Sequence, residues 1–215
     1  MNITRNIHSV LNDLGNDATL VAVSKTQSIE KIKEAYLSGQ KIFGENRVEE
    51  LVQKEEKLPK DIEWHMIGHL QSKKVKKIAR FISLIHSVDS LKILEEINKR
   101  AAHHNRVIKC LIQVHIAQES SKSGCREDEV INLLNQSSNL KNVKIVGLMG
   151  MATFTNNTSI INKEFNKIHN VFKNLRNMNS NISILSIGMS SDYKIAIKNG
   201  STMVRIGSTI FGNRK

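Results

Sequence analysis

The amino-acid sequence predicts an α/β protein, a single (β/α)8 barrel of the TIM type preceded by an extra N-terminal helix. Short β-branched apolar runs alternate with amphipathic helical stretches along the chain, and this alternation is typical of a parallel sheet with helical crossovers. Eight such units fit within 215 residues without a Pro-, Gly- or Ser-rich linker. We therefore expect one domain, residues 1–215, with a closed sheet. An open doubly wound sheet stays possible because periodicity does not reveal closure.

The elements follow from the spacing of apolar residues. A first helix is predicted over residues 3–14, where apolar residues recur at helical spacing until Gly15. Strands are predicted over 20–24, 41–44, 63–68, 81–88, 107–116, 143–149, 182–188 and 203–206. Helices are predicted over 28–38, 46–57, 72–80, 90–104, 127–137, 162–178 and 192–199. Ser28 and Asp192 stand where N-caps belong, and Gly39 and Gly200 where helices end.

The composition excludes several classes of protein. Hydrophobic residues make up 40% and charged residues 24%, which is ordinary for a globular protein and not for a disordered chain or a coiled coil. Cys110 and Cys125 form no CxxC pair, which argues against a disulfide framework or a zinc site and for a reducing compartment. The N-terminal residues lack the apolar core of a signal peptide, and no apolar run approaches about 18 residues. We expect a cytoplasmic protein with no metal and no membrane contact.

The net charge of +12 raises the question of a nucleic-acid partner. Lys, Asn and Ile are all abundant while proline occurs once, so we interpret the charge as a bias in base composition. Aromatic residues make up only 4% and offer few surfaces for base stacking. The one dense basic patch is interpreted as a solvated helix face, although an anionic partner is a weaker alternative. The patch comprises Lys73, Lys74, Lys76, Lys77 and Arg80.

Polar and glycine residues cluster at the C-terminal ends of the predicted strands, which form one rim in a barrel. They are Ser24, Lys25, Gly44, Glu45, Asn46, His65, Gly68, Ser87, His115, Gly188 to Ser191 and Arg205 to Ser208. Lys25 ends the first strand, either as a solvated loop charge or as a desolvated amine nucleophile. His65 and His69 lack a carboxylate at ligand spacing, so a hydrogen-bonded structural role is favoured for His65.

The ends of the seventh and eighth strands form a second group of candidate residues. Gly188 to Asp192 and Gly207 to Thr209 each lead out of a strand through glycine and hydroxyl residues, and such turns suit a phosphate. Arg205 lies between Val204 and Ile206 on an apolar strand and needs an acceptor. A structural salt bridge and a ligand contact are both open for Arg205, and the spacing of Glu45 and Asn46 assigns them no role.

Several motifs, in order over nearly the whole chain, resemble the pyridoxal phosphate homeostasis protein family, which is similar to the N-terminal barrel domain of alanine racemase. They are VAVSKT at 21–26, FGEN at 43–46, WHMIGHLQ at 64–71, ESSKSG at 119–124, GLM at 147–149, LSIGMS at 185–190 and MVRIG at 203–207.

The resemblance implies a cofactor and the residues that hold it. Lys25 is expected to carry pyridoxal 5'-phosphate as a Schiff base, and Ser190, Gly207 and Ser208 to bind its phosphate. Arg205 is expected at the pyridine nitrogen, where a cation disfavours ring protonation and weakens the cofactor as an electron sink. The other expected residues that line the pocket are Asn46 and Met189.

The sequence departs from the family pattern at two positions, and its function is interpreted accordingly. Ser208 stands where a threonine is common, and Gly150 where an alanine is common. Nothing resembles the second domain from which alanine racemases take a tyrosine base, since the chain ends at Lys215 just past the eighth strand. We therefore expect a monomeric carrier or regulator of the cofactor, with no catalytic residue and with pyridoxal-phosphate enzymes as clients. A small amino-acid racemase is the alternative, and a nucleic-acid-binding barrel the third hypothesis.

Overall fold

The computed structural model describes residues 2–119 and 123–212, in which eight parallel strands close into a barrel. The strands pair in chain order, and the first strand closes the sheet on the last with Thr19 opposite Met203 and Val21 opposite Arg205. The predicted (β/α)8 barrel is therefore confirmed, and the open sheet is excluded. Residues 120–122 of the ESSKSG motif, and Lys215, lie outside the described residues.

Strands and helices alternate after an initial helix. The strands are β1 (Thr19–Val23), β2 (Ile42–Glu45), β3 (Glu63–Met66), β4 (Leu84–Val88), β5 (Ile108–Gln113), β6 (Val143–Met149), β7 (Ile184–Met189) and β8 (Met203–Ile206). The helices are α1 (Ile3–Leu14), α2 (Ile29–Leu37), α3 (Val48–Lys57), α4 (Ser72–Ile78), α5 (Leu91–His103), α6 (Val130–Ser137), α7 (Thr158–Met178), α8 (Tyr193–Lys198) and α9 (Ser208–Phe211). A short 3-10 helix, Glu127–Glu129, precedes α6.

Some element boundaries differ from the prediction because backbone hydrogen bonds decide them. The strand predicted over 81–88 begins at Leu84, since the amides of Phe81 and Ile82 still donate to the carbonyl of Ile78 at the end of α4. The β-branched run at 81–88 therefore mixes the end of a helix with a strand, which apolar spacing does not separate.

The helix predicted over 162–178 begins four residues earlier, at Thr158. The side chain of Asn157 accepts hydrogen bonds from the amides of Ser159 and Ile160 and caps α7 there. The last helix, α9, was not predicted because its four residues are too few to show a period. It packs against α1, where the side chain of Asn6 donates to the carbonyl of Ile210.

Apolar side chains fill both sides of the sheet. Outside it they pack against the helices, as Trp64 does beside Phe43 with ring centroids 5.9 Å apart. Inside the barrel a second apolar cluster comprises Val21, Leu84, Leu111, Val146, Met149 and Met203. Because side chains fill the interior in this way, a ligand site is expected at the end where the strands finish.

Within the described ranges, every helix is too short or too polar to cross a membrane.

Candidate functional site

A cavity of about 380 Å³ opens at the C-terminal ends of the strands. All seven residues predicted to contact a ligand line it, although they come from the ends of β1, β2, β7 and β8. They are Lys25, Asn46, Met189, Ser190, Arg205, Gly207 and Ser208. The structure thus brings these seven residues together in one cavity, although not every residue of the predicted rim. Nine other predicted rim residues do not line this cavity: Ser24, Gly44, Glu45, His65, Gly68, Ser87, His115, Gly188 and Ile206.

Other residues complete the wall of the cavity. They are Val23, Gln27, Ile67, Met151, Phe154, Ser191 and Gly212. Phe154 lies in the loop after β6 and is 89% exposed, so an aromatic side chain stands at the cavity mouth. Its position depends on the path of a loop, where its amide donates to Glu119, and sequence periodicity carries no signal for that path.

The serine and glycine residues after β7 and β8 meet at one side of the cavity. The hydroxyl oxygen of Ser190 accepts hydrogen bonds from the amides of Gly207, at 3.2 Å, and Thr209, at 3.4 Å. Among the described residues, no hydrogen bond uses the amide of Ser191 or Ser208. Ser190, Ser191 and Ser208 all line the cavity, and unused amides and hydroxyl groups at such turns suit an anion.

Arg205 lies on the barrel interior below these donors and is 4% exposed. Its Nη1 donates to the carbonyl and the hydroxyl oxygen of Ser186, both at 2.7 Å, and its Nη2 donates to the carbonyl of Gly150 at 3.0 Å. These acceptors are neutral, so the contacts seen are not those of a structural salt bridge. Burial lowers the pKa of Arg205 to about 10, which leaves the guanidinium charged at neutral pH.

A chain of buried polar side chains continues from Arg205 across the barrel. The hydroxyl of Ser186 lies 3.1 Å from Nδ1 of His86, and Nε2 of His86 lies 3.0 Å from Nδ1 of His65. His65 therefore has the hydrogen-bonded structural role that was favoured, and the structure places it in the barrel interior. Burial lowers the pKa of His65 to about 3 and also lowers that of His86. Both rings are therefore neutral at pH 7 beside a charged arginine.

The neutral histidines predict how stability depends on pH. The folded pKa of His65 is about 3 against an ordinary value of 6.5, so only the unfolded chain takes up a proton as the pH falls below 6.5. The free energy of unfolding should decrease through that window, by up to about 1.4 kcal/mol per pH unit for each such group. Urea unfolding at several pH values measures this slope. His65→Gln should flatten it, whereas exposed His8→Gln should not; equal slopes in the two variants contradict the prediction.

Asn46 enters the cavity wall directly after β2. Its Oδ1 is buried and has no hydrogen-bond partner among the described residues. Gly68, from the loop after β3, passes so close that a Cβ there would lie 2.4 Å from the carbonyl oxygen of Asn46 and 2.9 Å from its Cβ. The glycine in the WHMIGHLQ motif therefore fixes where Asn46 stands.

Gly68→Ala should displace Asn46 and weaken ligand binding in the cavity about tenfold, the scale expected when a wall residue shifts by a fraction of an ångström. Titration with pyridoxal 5'-phosphate, followed by absorbance, measures the loss. If the effect acts through Asn46, Gly68→Ala should add little to Asn46→Ala in a double-mutant cycle. Fully additive losses would show that Gly68 acts elsewhere.

The remaining candidates lie away from the cavity. In the predicted basic patch, Lys74 and Lys77 pair with Glu49, and Arg80 pairs with Glu55, so helix α3 neutralises part of it. The described parts of the chain hold no cluster of three metal-ligating side chains. Both cysteines, Cys110 and Cys125, are free and buried.

Known proteins share this architecture. The family model described as the alanine racemase N-terminal domain matches residues 1–215. The pyridoxal phosphate homeostasis protein of Aquifex aeolicus is 41% identical over 202 residues, which cover 93% of this chain and 89% of that protein. The corresponding protein of Pasteurella multocida is 39% identical over 91% of this chain and 86% of its own.

Solved structures of other proteins have the same barrel fold. PipY of Synechococcus elongatus superposes with a TM-score of 0.92 without PLP and 0.89 with PLP bound, at 34% and 33% identity over 98% of this chain and 100% of PipY. Alanine racemase of Clostridium difficile has a TM-score of 0.80 at 15% identity, over 99% of this chain and 56% of the racemase, a likeness of fold alone. The chain therefore belongs to the pyridoxal phosphate homeostasis protein family, built on the barrel of the alanine racemase N-terminal domain.

Proposed function

We propose that this protein binds pyridoxal 5'-phosphate in the cavity and serves in the homeostasis of that cofactor. One observation carries the proposal: an amine, at Lys25, and a group of anion donors, at Ser190, Ser191 and Ser208, line the same cavity of about 380 Å³. Gly207 also lines it, with its amide donating to the hydroxyl oxygen of Ser190. An aldehyde that bears a phosphate needs these two features together. PipY, 33% identical to this chain, has been solved with PLP bound.

The residues of the cavity fit the cofactor. The ε-amine of Lys25 would hold it as a Schiff base, and the donors around Ser190 would hold the phosphate dianion. Arg205 would lie at the ring nitrogen, where its charge opposes ring protonation, and Asn46 and Met189 would flank the ring. The bound cofactor supplies an electrophilic carbon and an electron sink, and a charged arginine at the ring nitrogen weakens that sink.

We propose further that the protein carries the cofactor without efficient catalysis. Racemisation needs a second acid–base group opposite the lysine, and neither tyrosine of this chain lines the cavity. The hydroxyl of Tyr36 donates to Asp61, and that of Tyr193 donates to Asp13. Steady racemisation of an amino acid with enzyme-like turnover, abolished by Lys25→Ala, would favour the racemase alternative instead.

The same proposal extends to how the protein works in the cell. Residues 1–215 would act as a single barrel domain and as a monomer. Its buried free thiols, Cys110 and Cys125, suit a reducing compartment such as the cytoplasm. Enzymes that use pyridoxal 5'-phosphate would be its clients. Sedimentation at low and high concentration tests the monomer, and a stable dimer would contradict it.

Borohydride reduction of the purified protein with added pyridoxal 5'-phosphate tests the cofactor proposal. Reduction makes a Schiff base permanent, and mass spectrometry of the digested protein then identifies the modified lysine. An adduct on the peptide that contains Lys25 is the expected result. A protein that takes up no cofactor on soaking would leave the barrel fold standing and would overturn the function.

A further inference from the structure

We propose that Glu50 and Lys54, on helix α3, are positioning residues that hold the segment on both sides of Lys25 and so direct its amine into the cavity. This inference rests on the proposed function, because it gives Lys25 the role of the attachment point. Two sets of hydrogen bonds that involve α3, here called tethers, hold this segment. One reaches the residue before Lys25, and the other reaches the residue after it.

The first tether holds Ser24, which is fully buried. Its hydroxyl donates to Oε1 of Glu45 at 2.6 Å, and its carbonyl accepts from Nζ of Lys54 at 2.7 Å. Lys54 also donates to that same oxygen of Glu45 at 2.7 Å. Ser24 is therefore bound through both its side chain and its backbone to one buried ion pair.

The second tether holds Thr26. Its amide donates to Oε1 of Glu50 at 2.6 Å, and Lys54 donates to the same oxygen at 2.6 Å. Thr26 has a φ of +65°, which is costly for a β-branched residue and persists only where neighbouring groups enforce it. The amide of Gln27 closes this turn by donating to the carbonyl of Ser24 at 3.0 Å. Glu50 adds a side-chain acceptor that holds the Thr26 amide in that conformation, so the direction of Lys25 also depends on a carboxylate of α3.

The placement of these groups argues against a role in stability alone. Lys54 is 5% exposed and Glu45 is fully buried, and a buried ion pair stabilises a fold no better than apolar side chains of the same size. Among the described residues, the hydrogen bonds that the Glu45, Glu50 and Lys54 side chains make outside their own group go only to Ser24 and Thr26. The network therefore acts on the Lys25 segment.

Helix α3 offers a matched pair of variants for the test. Glu50→Ala removes the acceptor of the Thr26 amide, whereas Glu49→Ala removes the neighbouring carboxylate, which pairs with Lys74 and Lys77 instead. Glu50→Gln keeps an acceptor oxygen at the same place and should rescue. Lys54→Met is a second disruption that loosens both tethers and preserves side-chain length.

The rate at which pyridoxal 5'-phosphate forms a borohydride-stable adduct should fall about tenfold in Glu50→Ala and in Lys54→Met, the scale expected for a misplaced reacting group. Glu49→Ala and Glu50→Gln should stay near the wild-type rate. Affinity for pyridoxamine 5'-phosphate, whose amine cannot join to Lys25, should be equal in all five proteins. Wild-type adduct rates in both disrupted variants, or a parallel loss of pyridoxamine 5'-phosphate binding, would overturn the positioning role.

Amide hydrogen exchange in the cofactor-free protein separates this inference from the proposed function. The Thr26 amide should exchange faster in Glu50→Ala than in Glu49→Ala, whatever the cavity binds. Equal exchange in these two variants would overturn the tether. The wild-type protein could form no adduct while the Thr26 exchange rates of the two variants still differed. The tether would then be confirmed as a contact that fixes the backbone, and the assignment of Lys25 as an attachment point would be wrong.

Discussion

Replacing Lys25 with alanine is expected to leave a folded barrel that retains no covalently bound cofactor. Lys25 is half-buried at the end of β1, and its ε-amine is the group in the cavity wall that can join to an aldehyde. The donors at Ser190, Ser191 and Ser208, to which we assign the phosphate, stay in place, so binding should weaken to a reversible, phosphate-dependent association. The borohydride-stable adduct should disappear completely, whereas the unfolding midpoint in urea should change little.

The matched control for this change is Lys31→Ala. Lys31 is the next lysine along the chain, is exposed, and donates to Gln27, which also lines the cavity. Lys31→Ala removes one positive charge near the same rim, as Lys25→Ala does. The adduct yield of Lys31→Ala should nevertheless match that of the wild-type protein. An undiminished adduct in Lys25→Ala, mapped to another lysine, would contradict the assignment.

The rim of the barrel could be predicted from the sequence because it depends on short-range signals. Lys25 ends an apolar run, and Ser190 and Gly207 follow two others, so their shared position requires only that parallel strands finish at one end. A hydrogen-bonded structural role for His65 was also accessible, whereas strand alternation did not show whether His65 or Trp64 faces the barrel interior. Such residues can be recognised in a sequence because each one interrupts or ends a local apolar pattern.

The supporting network could not be predicted in the same way. Lys54 and Glu50 stand four residues apart on α3, which reads as an ordinary surface pair, yet Lys54 is buried against Ser24 on another element. The contact of His86 with Ser186 joins residues 100 positions apart. Such pairings follow from how eight units close, and closure is a property of the whole chain rather than of any one segment.

Arg205→Met is expected to destabilise the barrel and to change the electrostatics of the bound cofactor. The guanidinium satisfies the carbonyls of Ser186 and Gly150 and the hydroxyl of Ser186 in the buried interior. Without it, the carbonyl of Ser186 still accepts from the amide of Gly150 and the hydroxyl of Ser186 still contacts His86, whereas the carbonyl of Gly150 loses its donor. A buried acceptor left unpaired costs about 1–3 kcal/mol, so the free energy of unfolding should fall by about 2–3 kcal/mol, which urea denaturation of the cofactor-free protein measures.

Arg106→Met provides the comparison that separates burial from charge. Arg106 also bridges two carbonyls, those of Ala79 and Ile82, but it is only half-buried and lies away from the cavity. Water can replace its bonds, so the loss should be nearer 1 kcal/mol. Equal losses for Arg106 and Arg205 would show that the polar chain inside the barrel does not depend on the buried cation.

The two arginines should also differ in their effect on the cofactor. A cation at the ring nitrogen opposes protonation there, so a variant without it should protonate the ring at higher pH. The absorbance of the bound cofactor should be followed across a pH titration. The pH midpoint of its change should move to a higher value in Arg205→Met and stay unchanged in Arg106→Met. A shift in neither variant would place Arg205 away from the ring nitrogen. Its charge would then serve the packing of Ser186 and the two interior histidines, and the weak electron sink on which the carrier proposal depends would need another cause.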